Sequence, residues 1–503
     1  MQRLQTPDQA AQWLHARVAG KLCTDNRKVQ TNDGFIAWPG AAHDARRFVP
    51  LALEQGASAC LIEESGADAF AWDVVPHADD RVASYKGLKS ACGPIAASFY
   101  QHPSTEMDVI AITGTNGKTT CAWWLAHALQ ELGQPSSLVG TLGLGRPDSL
   151  TITGMTTPDP VLLQSHLREM VHEGVSSCVM EASSIGIAEH RLDGTHLRLA
   201  MLTNFSQDHL DYHGDMAQYW QAKAALFDWP DLQVAVINID DPQGVLLANT
   251  LQNKAQVKVW TYATQTQNTK ADTQHVQALK VHFADRGMRF DIKLGDTTHS
   301  RETSVVGDYN VSNFTGVITC LCALGHRFED DVDACLNLAS VPGRMELFGN
   351  AGDPLVVVDF AHTPDAIEKA LLALKPLAAL RGGDIICVVG CGGDRDKLKR
   401  PLMAAAAEMY AQQVVLTSDN PRSEDPEIIL REMYAGLKTP QSAHKVVDRA
   451  QAIAQAVQNA RPSDLVLIAG KGHETYQEIN GVKHPFSDQS FAQQAINNRS
   501  MHV

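Results

Sequence analysis

One segment restricts the fold of this chain more than any other. Residues 109–120 read Val-Ile-Ala-Ile-Thr-Gly-Thr-Asn-Gly-Lys-Thr-Thr. A short β-branched run leads into a glycine-bounded loop, and from Thr119 the apolar spacing predicts a helix that lasts until Gly133. Glycines let backbone N–H groups converge on a polyphosphate at a helix N-terminus, while the lysine reaches the outer phosphates and a threonine hydroxyl can hold Mg²⁺. The segment therefore predicts an ATP site at Gly114, Thr115, Asn116, Gly117, Lys118, Thr119 and Thr120, with Thr119 as the metal ligand.

The segment departs from the strict phosphate-loop pattern in one place. That pattern has a glycine five residues before Gly117, where this chain has Ile112. The alternative interpretation is a glycine turn that caps a buried helix. The strand before the loop and the helix after it favour the phosphate site.

Length and charge narrow the remaining possibilities. A chain of 503 residues is too long for one hydrophobic core, so two to four domains are expected. Lys and Arg total 42 against 57 Asp and Glu, and the net charge of −15 argues against nucleic acid or an anionic membrane as the general partner. The N-terminus has no apolar signal core, and no window approaches the length of a membrane span. Ten cysteines without a C-x-x-C pair indicate a reducing compartment, so a cytoplasmic protein is expected.

The pattern of apolar runs predicts an α/β chain of three domains, with boundaries at 1–85, 86–341 and 342–503. The middle block alternates predicted strands (177–180, 199–204, 234–238, 257–262) with predicted helices (161–173, 216–227). Such alternation indicates a mostly parallel sheet covered on both faces. Between 277 and 306 the pattern changes to antiparallel strands, and a helix is expected from 307 onward.

The third block predicts a doubly wound, Rossmann-like sheet. Its buried-strand runs are 355–359, 385–390, 414–417 and 465–470. Ligands bind at the carboxyl ends of the strands in such sheets. The segments that follow these runs are rich in polar and charged residues, and they lie at 359–362, 390–396, 418–422 and 470–474.

Several side chains at predicted strand ends could bind ligands. Glu181 and His209 each follow a strand of the middle block, and an oxygen with an imidazole suits Mg²⁺ or Mn²⁺ better than structural zinc. Arg395 and Arg422 could each clamp a carboxylate bidentately. Together with Glu474 they favour a zwitterionic amino-acid substrate over a turn with surface ion pairs. Lys223, judged by helical spacing alone, is expected to be a solvated lysine.

These motifs resemble those of the Mur ligases, ATP-dependent amide-bond-forming enzymes of bacterial cell-wall synthesis. The segments that carry the resemblance run in order along the chain: Thr-Gly-Thr-Asn-Gly-Lys-Thr-Thr (113–120), Met-Glu-Ala-Ser-Ser (180–184), Thr-Asn-Phe-Ser-Gln-Asp-His-Leu-Asp-Tyr-His (203–213), Val-Pro-Gly-Arg-Met-Glu (341–346), Asp-Phe-Ala-His-Thr-Pro-Asp (359–365) and Gly-Cys-Gly-Gly-Asp-Arg-Asp (390–396). In addition, Asp-Asn-Pro-Arg at 419–422 is similar to the signature of the members that add meso-diaminopimelate. The resemblance implies a uridine-nucleotide domain, a central ATP-binding domain and a C-terminal amino-acid domain.

The resemblance also implies roles for single residues. The sites for the UDP-N-acetylmuramoyl dipeptide would comprise Thr24, Asn26, Thr156, Thr157, Ser183, Glu189 and Arg191. The metal ligands would be Thr119, Glu181 and His209, and the catalytic residues Lys118, Lys223 and His209, with Lys223 carried as a carbamate. Diaminopimelate would contact Arg395, Asp419, Asn420, Pro421, Arg422, Gly470 and Glu474. This chain differs from the family pattern at Asn26, Glu189 and Phe360, where serine, glutamine and tyrosine are usual.

The implied reaction joins diaminopimelate to the D-glutamyl γ-carboxylate of UDP-N-acetylmuramoyl-L-alanyl-D-glutamate through an acyl phosphate, with ATP and Mg²⁺. The implied partners are these small molecules, without nucleic acid, and the expected state is a monomer. Two alternatives stay open at this point. One is another amino-acid ligase of the same architecture, either lysine-adding or a folylpolyglutamate synthetase. The other is a nucleotide-dependent switch that forms no bond.

Overall fold

The computed structural model describes residues 1–40, 43–70, 72, 78–254, 256–265, 273–284, 287–304, 306–335, 338, 340–350 and 352–500. The chain divides into two compact units. The first comprises Met1–Ala263, Gln267–Val276 and Asn313–Cys335, and the second comprises Thr264–Thr266, Gln277–Ser312 and Leu336–Val503. The predicted boundaries of three domains, at 85 and 341, stay a prediction.

Helices and strands alternate along most of the described chain. The helices are α1 Pro7–His15, α2 Val49–Glu54, α3 Ala78–Arg81, α4 Leu88–Phe99, α5 Lys118–Glu131, α6 Pro160–His172, α7 Ser184–Ala188, α8 Leu210–His213, α9 Met216–Ala224, α10 Pro242–Gln252, α11 Asp308–Leu324, α12 Phe328–Ala334, α13 Pro364–Arg381, α14 Lys399–Tyr410, α15 Pro426–Tyr434, α16 Arg449–Asn459 and α17 Asp488–Ser500. The strands are β1 Gln2–Leu4, β2 Leu22–Cys23, β3 Gly34–Ala37, β4 Ala59–Glu63, β5 Val82–Tyr85, β6 Asp108–Thr113, β7 Ser136–Gly140, β8 Gly143–Arg146, β9 Ser149–Thr151, β10 Ser177–Glu181, β11 Leu199–Leu202, β12 Val234–Asn238, β13 Lys258–Ala263, β14 His275–Ala284, β15 Gly287–Leu294, β16 Thr297–Thr303, β17 Glu346–Phe348, β18 Leu355–Asp359, β19 Ile385–Cys391, β20 Gln413–Ser418, β21 Ala443–Lys445, β22 Leu465–Ala469, β23 Tyr476–Ile479 and β24 Val482–Pro485.

The first unit contains two sheets. The N-terminal sheet is parallel, with strand order β1-β5-β4-β3-β2. In the second sheet β13-β12-β11-β6-β10-β7 are parallel, and β8 and β9 extend it antiparallel. The mostly parallel sheet predicted for the middle block is therefore confirmed. Because strands of a parallel sheet are buried on both faces, they read as continuous apolar runs, as β6 does.

Helix α4 packs on the N-terminal sheet, although the sequence places it in the middle block. Its apolar face contributes Leu88, Cys92, Ile95 and Phe99 to the core cluster that Leu61 of β4 joins. Residues three and four apart share one face of a helix, so these four side chains cover the same stripe. The helix covers this sheet and leads directly towards β6.

The second unit is built on a six-stranded sheet with order β17-β18-β22-β19-β20-β21. Strand β17 is antiparallel and the other pairs are parallel. All four strands predicted for the third block are present, and the doubly wound α/β class is confirmed. Strands β15 and β16 pair antiparallel, as the change of pattern predicts. Residues 285, 286 and 305 of that stretch lie outside the described residues.

Many helix starts follow from local sequence. Helices α1, α6, α10, α13 and α15 each begin with a proline that directly follows a threonine or aspartate cap: Thr6, Asp159, Asp241, Thr363 and Asp425. Each cap accepts a hydrogen bond from a backbone N–H of the first turn, while proline supplies a fixed φ where no N–H is needed. In the part of the chain that the structure describes, no helix combines the length and apolarity needed to cross a bilayer.

Candidate active site

The glycine loop lies between β6 and α5, as predicted. Its two glycines adopt left-handed backbone angles, with φ of 145° at Gly114 and 84° at Gly117. A Cβ added at Gly114 would lie 1.9 Å from Thr203 Oγ1, and one added at Gly117 would lie 2.4 Å from Asn313 Oδ1. Both positions therefore require glycine for the backbone angle and for the close approach. The loop is also tied to the end of β11, because Asn116 N donates to Asn204 Oδ1 at 2.9 Å.

Two lysines share one carbonyl of this loop. Lys118 Nζ donates to Gly114 O at 2.9 Å and to Thr115 O at 2.9 Å. Lys223 Nζ donates to the same Gly114 O at 2.7 Å, and its side chain is 1% exposed. The apolar spacing of α9 alone predicted a solvated Lys223, which is wrong. Burial, with Lys118 nearby, lowers the pKa of Lys223 from 10.5 to about 6.

A buried threonine and glutamate connect the phosphate loop to β10. Thr119 Oγ1, in the first turn of α5, donates to Glu181 Oε2 at 2.9 Å. Glu181 Oε1 accepts from Thr141 N at 2.7 Å, and the glutamate is 2% exposed. Its backbone carbonyl accepts from Thr157 Oγ1 at 2.7 Å. Threonine hydroxyl and carboxylate oxygens are hard ligands that suit Mg²⁺.

Three predicted dipeptide-binding residues, Thr157, Ser183 and Arg191, are joined by short contacts. Thr157 Oγ1 lies 3.0 Å from Ser183 Oγ, and Arg191 Nη1 donates to Thr157 O at 2.8 Å. Thr156 Oγ1 lies 3.0 Å from Thr141 Oγ1. Ser183 also caps α7, where its Oγ accepts from Gly186 N.

Glu189 lies at the C-terminal end of α7, two residues before Arg191. It forms an ion pair with Lys89 of α4 at 2.6 Å and accepts a hydrogen bond from Tyr212 Oη. These two donors hold the pKa of Glu189 below its usual value, while burial and Glu189 raise the pKa of Tyr212 to about 12. The glutamate charge at this position is therefore balanced within the chain.

Three of the predicted site residues, His209, Thr24 and Asn26, are not part of the hydrogen-bonded groups described above. His209 is half exposed and lies beside Asp208, with Nε2 3.5 Å from Oδ2. Among the described residues, no group of three or more His, Cys, Asp or Glu side chains could hold a metal ion. Thr24 and Asn26 lie half-buried at the end of β2, outside the hydrogen-bonded group around Thr157. The roles of His209, Thr24 and Asn26 stay predictions.

The second unit brings the other predicted residues to one sheet edge. Strands β22, β19 and β20 are parallel neighbours, so Gly470, Gly392 and Asp419 follow their carboxyl ends side by side. Asp419 is buried, and a Cβ added at Gly470 would lie 2.4 Å from its Oδ2. This is the edge where ligands bind in open α/β sheets.

The two predicted arginines flank the same glycine. A Cβ added at Gly392 would meet Arg422 Nη1 at 2.9 Å and Arg395 Cγ at 3.8 Å. Arg422 Nη1 donates to Gly393 O at 2.7 Å, and Arg422 Nε lies 3.5 Å from Glu478 Oε2. Arg422 has φ of 52°, an uncommon conformation for a side chain of this size. Arg395 is exposed.

Sequence reasoning missed the lysine that connects this site. Lys471 is fully buried and donates to Asn420 Oδ1 at 2.9 Å and to Glu474 Oε2 at 2.8 Å. Asn420 Nδ2 donates to Glu474 Oε2 at 2.7 Å. The available signal was the position of Lys471 between two glycines directly after a buried strand.

A glycine loop between a parallel strand and a helix, with a lysine and a buried threonine–glutamate pair beside it, is typical of proteins that bind nucleoside triphosphates. Comparison with protein families gives the more specific result. Residues 112–321 match the Mur ligase middle domain, and residues 343–472 match the Mur ligase glutamate ligase domain. A relative from Acidovorax sp. (strain JS42), named UDP-N-acetylmuramoyl-L-alanyl-D-glutamate–2,6-diaminopimelate ligase, is 50% identical over 99% of this chain and 98% of its own length. The chain belongs to the Mur ligase family.

Solved structures agree with this assignment. A structure of a UDP-N-acetylmuramoyl-L-alanyl-D-glutamate–2,6-diaminopimelate ligase is 35% identical, with a TM-score of 0.68, and the match covers 96% of this chain and 95% of that one. A MurF ligase from Thermotoga maritima in complex with ADP is 17% identical, with a TM-score of 0.62 over 97% of both chains. The latter shares the fold alone.

Proposed function

We propose that this chain joins meso-2,6-diaminopimelate to the D-glutamyl γ-carboxylate of UDP-N-acetylmuramoyl-L-alanyl-D-glutamate, with conversion of ATP to ADP and phosphate. The observation that carries this proposal is the hydrogen-bonded series from Thr119 of the phosphate loop through Glu181 to Thr157. Thr157, which we propose binds the dipeptide, and Thr119, which we propose lies at the phosphates, both donate hydrogen bonds to Glu181. A ligase that activates a carboxylate with ATP needs these two sites to be adjacent.

The phosphate loop at residues 114–120 neutralises the charge of the triphosphate. Lys118 and the loop N–H groups pair with its oxygens, which lowers the repulsion that an approaching carboxylate meets. Thr119 and Glu181 would hold Mg²⁺. A threonine hydroxyl and a carboxylate are hard oxygen ligands of the kind that Mg²⁺ prefers, and Thr119 Oγ1 and Glu181 Oε2 lie side by side, 2.9 Å apart. The bound ion would supply positive charge at the phosphates.

In the first step the γ-carboxylate oxygen attacks the γ-phosphorus, and the bond to ADP breaks. The product is an acyl phosphate. Thr157, Ser183 and Arg191 would hold the muramoyl dipeptide during this step, with the arginine opposite an anionic group. The ion pair of Glu189 with Lys89 limits repulsion of this anionic substrate.

In the second step a neutral amino group of diaminopimelate attacks the acyl carbon and the bond to phosphate breaks. The nitrogen loses a proton, which the departing phosphate takes up. Arg422 and Arg395 would hold a carboxylate of the incoming amino acid, while Glu474 would accept hydrogen bonds from an ammonium group. Diaminopimelate has one more carboxylate than lysine. An arginine left without its partner would disfavour lysine strongly.

The assay for this function measures ADP release by the purified protein with Mg²⁺, ATP and the UDP-linked dipeptide, with either meso-diaminopimelate or L-lysine. Turnover with diaminopimelate only is expected. Turnover with lysine alone would overturn the specificity, and no turnover with either would overturn the ligase assignment. Release of ADP without any amino acid would favour a nucleotide switch instead.

Replacement of the arginine tests the binding mode. Arg422→Ala should raise the KM for diaminopimelate by roughly 100-fold, because a paired charge is lost from a partly buried site, and should leave the KM for ATP unchanged. Arg289→Ala is the matched control, since Arg289 pairs with Glu302 on the exposed β15–β16 hairpin. Equal losses for both substrates would contradict the assignment of Arg422.

A further inference from the structure

Lys471 is a buried lysine that has no role in the reaction steps described above. Its side chain is 0% exposed, and its Nζ contacts Asn420 Oδ1 at 2.9 Å and Glu474 Oε2 at 2.8 Å. A buried ammonium group is costly unless its hydrogen bonds are satisfied by charged or polar partners. The pairing therefore fixes Lys471 and its partners in one arrangement.

The first of those partners is an amide whose orientation is determined by its donors. Asn420 Oδ1 accepts from Lys471 Nζ and also from Glu478 N at 2.9 Å. Because two donors contact the same atom of the Asn420 amide, that atom must be the oxygen. The amide nitrogen must then face Glu474, where it donates to Oε2 at 2.7 Å.

The second partner is a carboxylate with two different oxygens. Glu474 Oε2 accepts from both Lys471 and Asn420. Within the described part of the chain, Glu474 Oε1 accepts no hydrogen bond, and the side chain is 22% exposed. Oε1 is consequently the acceptor left for a ligand, and a carboxylate oxygen requires a donor such as an ammonium group.

We propose that Lys471 is a positioning residue for the amino-acid site. It fixes Asn420 and Glu474 so that Glu474 Oε1 accepts a hydrogen bond from the ammonium group of the incoming amino acid that does not react. This inference rests on the proposed function, because the amino acid is the ligand that the function requires at this edge. Lys471 itself stays beneath the site and does not touch the substrate. Its loss should weaken amino-acid binding while the phosphoryl-transfer half of the reaction is unchanged.

The test is the Lys471→Met variant in the complete ligase assay. We expect the KM for diaminopimelate to rise by about 10- to 100-fold, as for the loss of a hydrogen bond to a charged group, with kcat and the KM for ATP close to wild type. Lys483→Met is the matched control. Both lysines lie near the ring of Tyr476, and Lys483 Nζ is 4.0 Å from its centre. Lys483, however, lies on the exposed strand β24.

A second comparison separates positioning from general stability. In the Glu474→Gln background, Lys471→Met should add little to the KM for diaminopimelate, because the lysine acts through that carboxylate. A full additional loss, or an unchanged KM in the single variant, would overturn the proposal. If thermal melting shows that Lys471→Met is unfolded, Lys471→Arg takes its place. A wild-type KM for diaminopimelate in Lys471→Arg, with its guanidinium displaced from Asn420, would also overturn the proposal. Absence of turnover in the wild type would reject the function itself.

Discussion

Lys223 gives the sharpest test of the chemistry at the phosphate loop. Its amine has a pKa of about 6 because it is buried and lies near Lys118. At pH 8 an amine with a pKa of 6 is about 99% neutral, whereas an ordinary lysine is about 0.3% neutral. Only the neutral amine reacts with CO₂, and at pH 8 the neutral fraction of Lys223 is roughly 300 times that of a surface lysine.

The assay is ¹³C NMR of the protein at pH 8 with ¹³C-labelled bicarbonate. The wild-type spectrum should contain one carbamate carbon signal that the spectrum of Lys223→Met lacks. Removal of CO₂ should lower ligase activity, and bicarbonate should restore it, since the carbamate oxygens can hold a divalent cation beside the phosphate loop. A wild-type spectrum identical to that of Lys223→Met, or an amine titrating near 10.5, would refute the reasoning.

Two further predictions concern single hydrogen-bonded groups. Thr119→Val should lower kcat/KM for ATP by roughly 10- to 100-fold, because the buried carboxylate of Glu181 loses its hydroxyl donor. The control Thr119→Ser should retain most activity. Equal losses in both variants would mean that Thr119 acts through packing instead. Glu424 has its pKa lowered from 4.5 to about 2, chiefly by hydrogen bonds from Arg400, so it stabilises the fold above pH 4.5 and loses this contribution as the pH falls towards 2. The difference in urea-unfolding free energy between wild type and Glu424→Gln should therefore narrow from pH 6 towards about pH 3, and a constant difference would contradict the assignment.

The strands of the third block were predictable because their environment is simple. Runs such as Leu355–Asp359 and Leu465–Ala469 are buried on both faces, so their apolar residues are continuous and end where polar residues begin. Strands β8 and β9 were not predicted. Glycines at Gly143 and Gly145 interrupt the alternation on which a strand prediction depends.

Contacts between distant residues were beyond the sequence pattern. Lys471 and Asn420 are 51 positions apart, and only the pairing of β22 with β19 and of β19 with β20 brings their strand ends together. Lys223 is a second example. Its position on helix α9 predicted a solvated side chain, whereas its Nζ donates to the distant carbonyl of Gly114.

The carbonyl of Gly114 also couples two equilibria. Lys118 and Lys223 both donate to it, and the charge on Lys118 lowers the pKa of Lys223. A triphosphate that draws Lys118 away, or offsets its charge, makes a proton on Lys223 less costly. By thermodynamic reciprocity, the charge state of Lys223 then changes the affinity of the loop for nucleotide by the same factor. One peptide oxygen thus makes the affinity for nucleotide depend on pH and on dissolved CO₂.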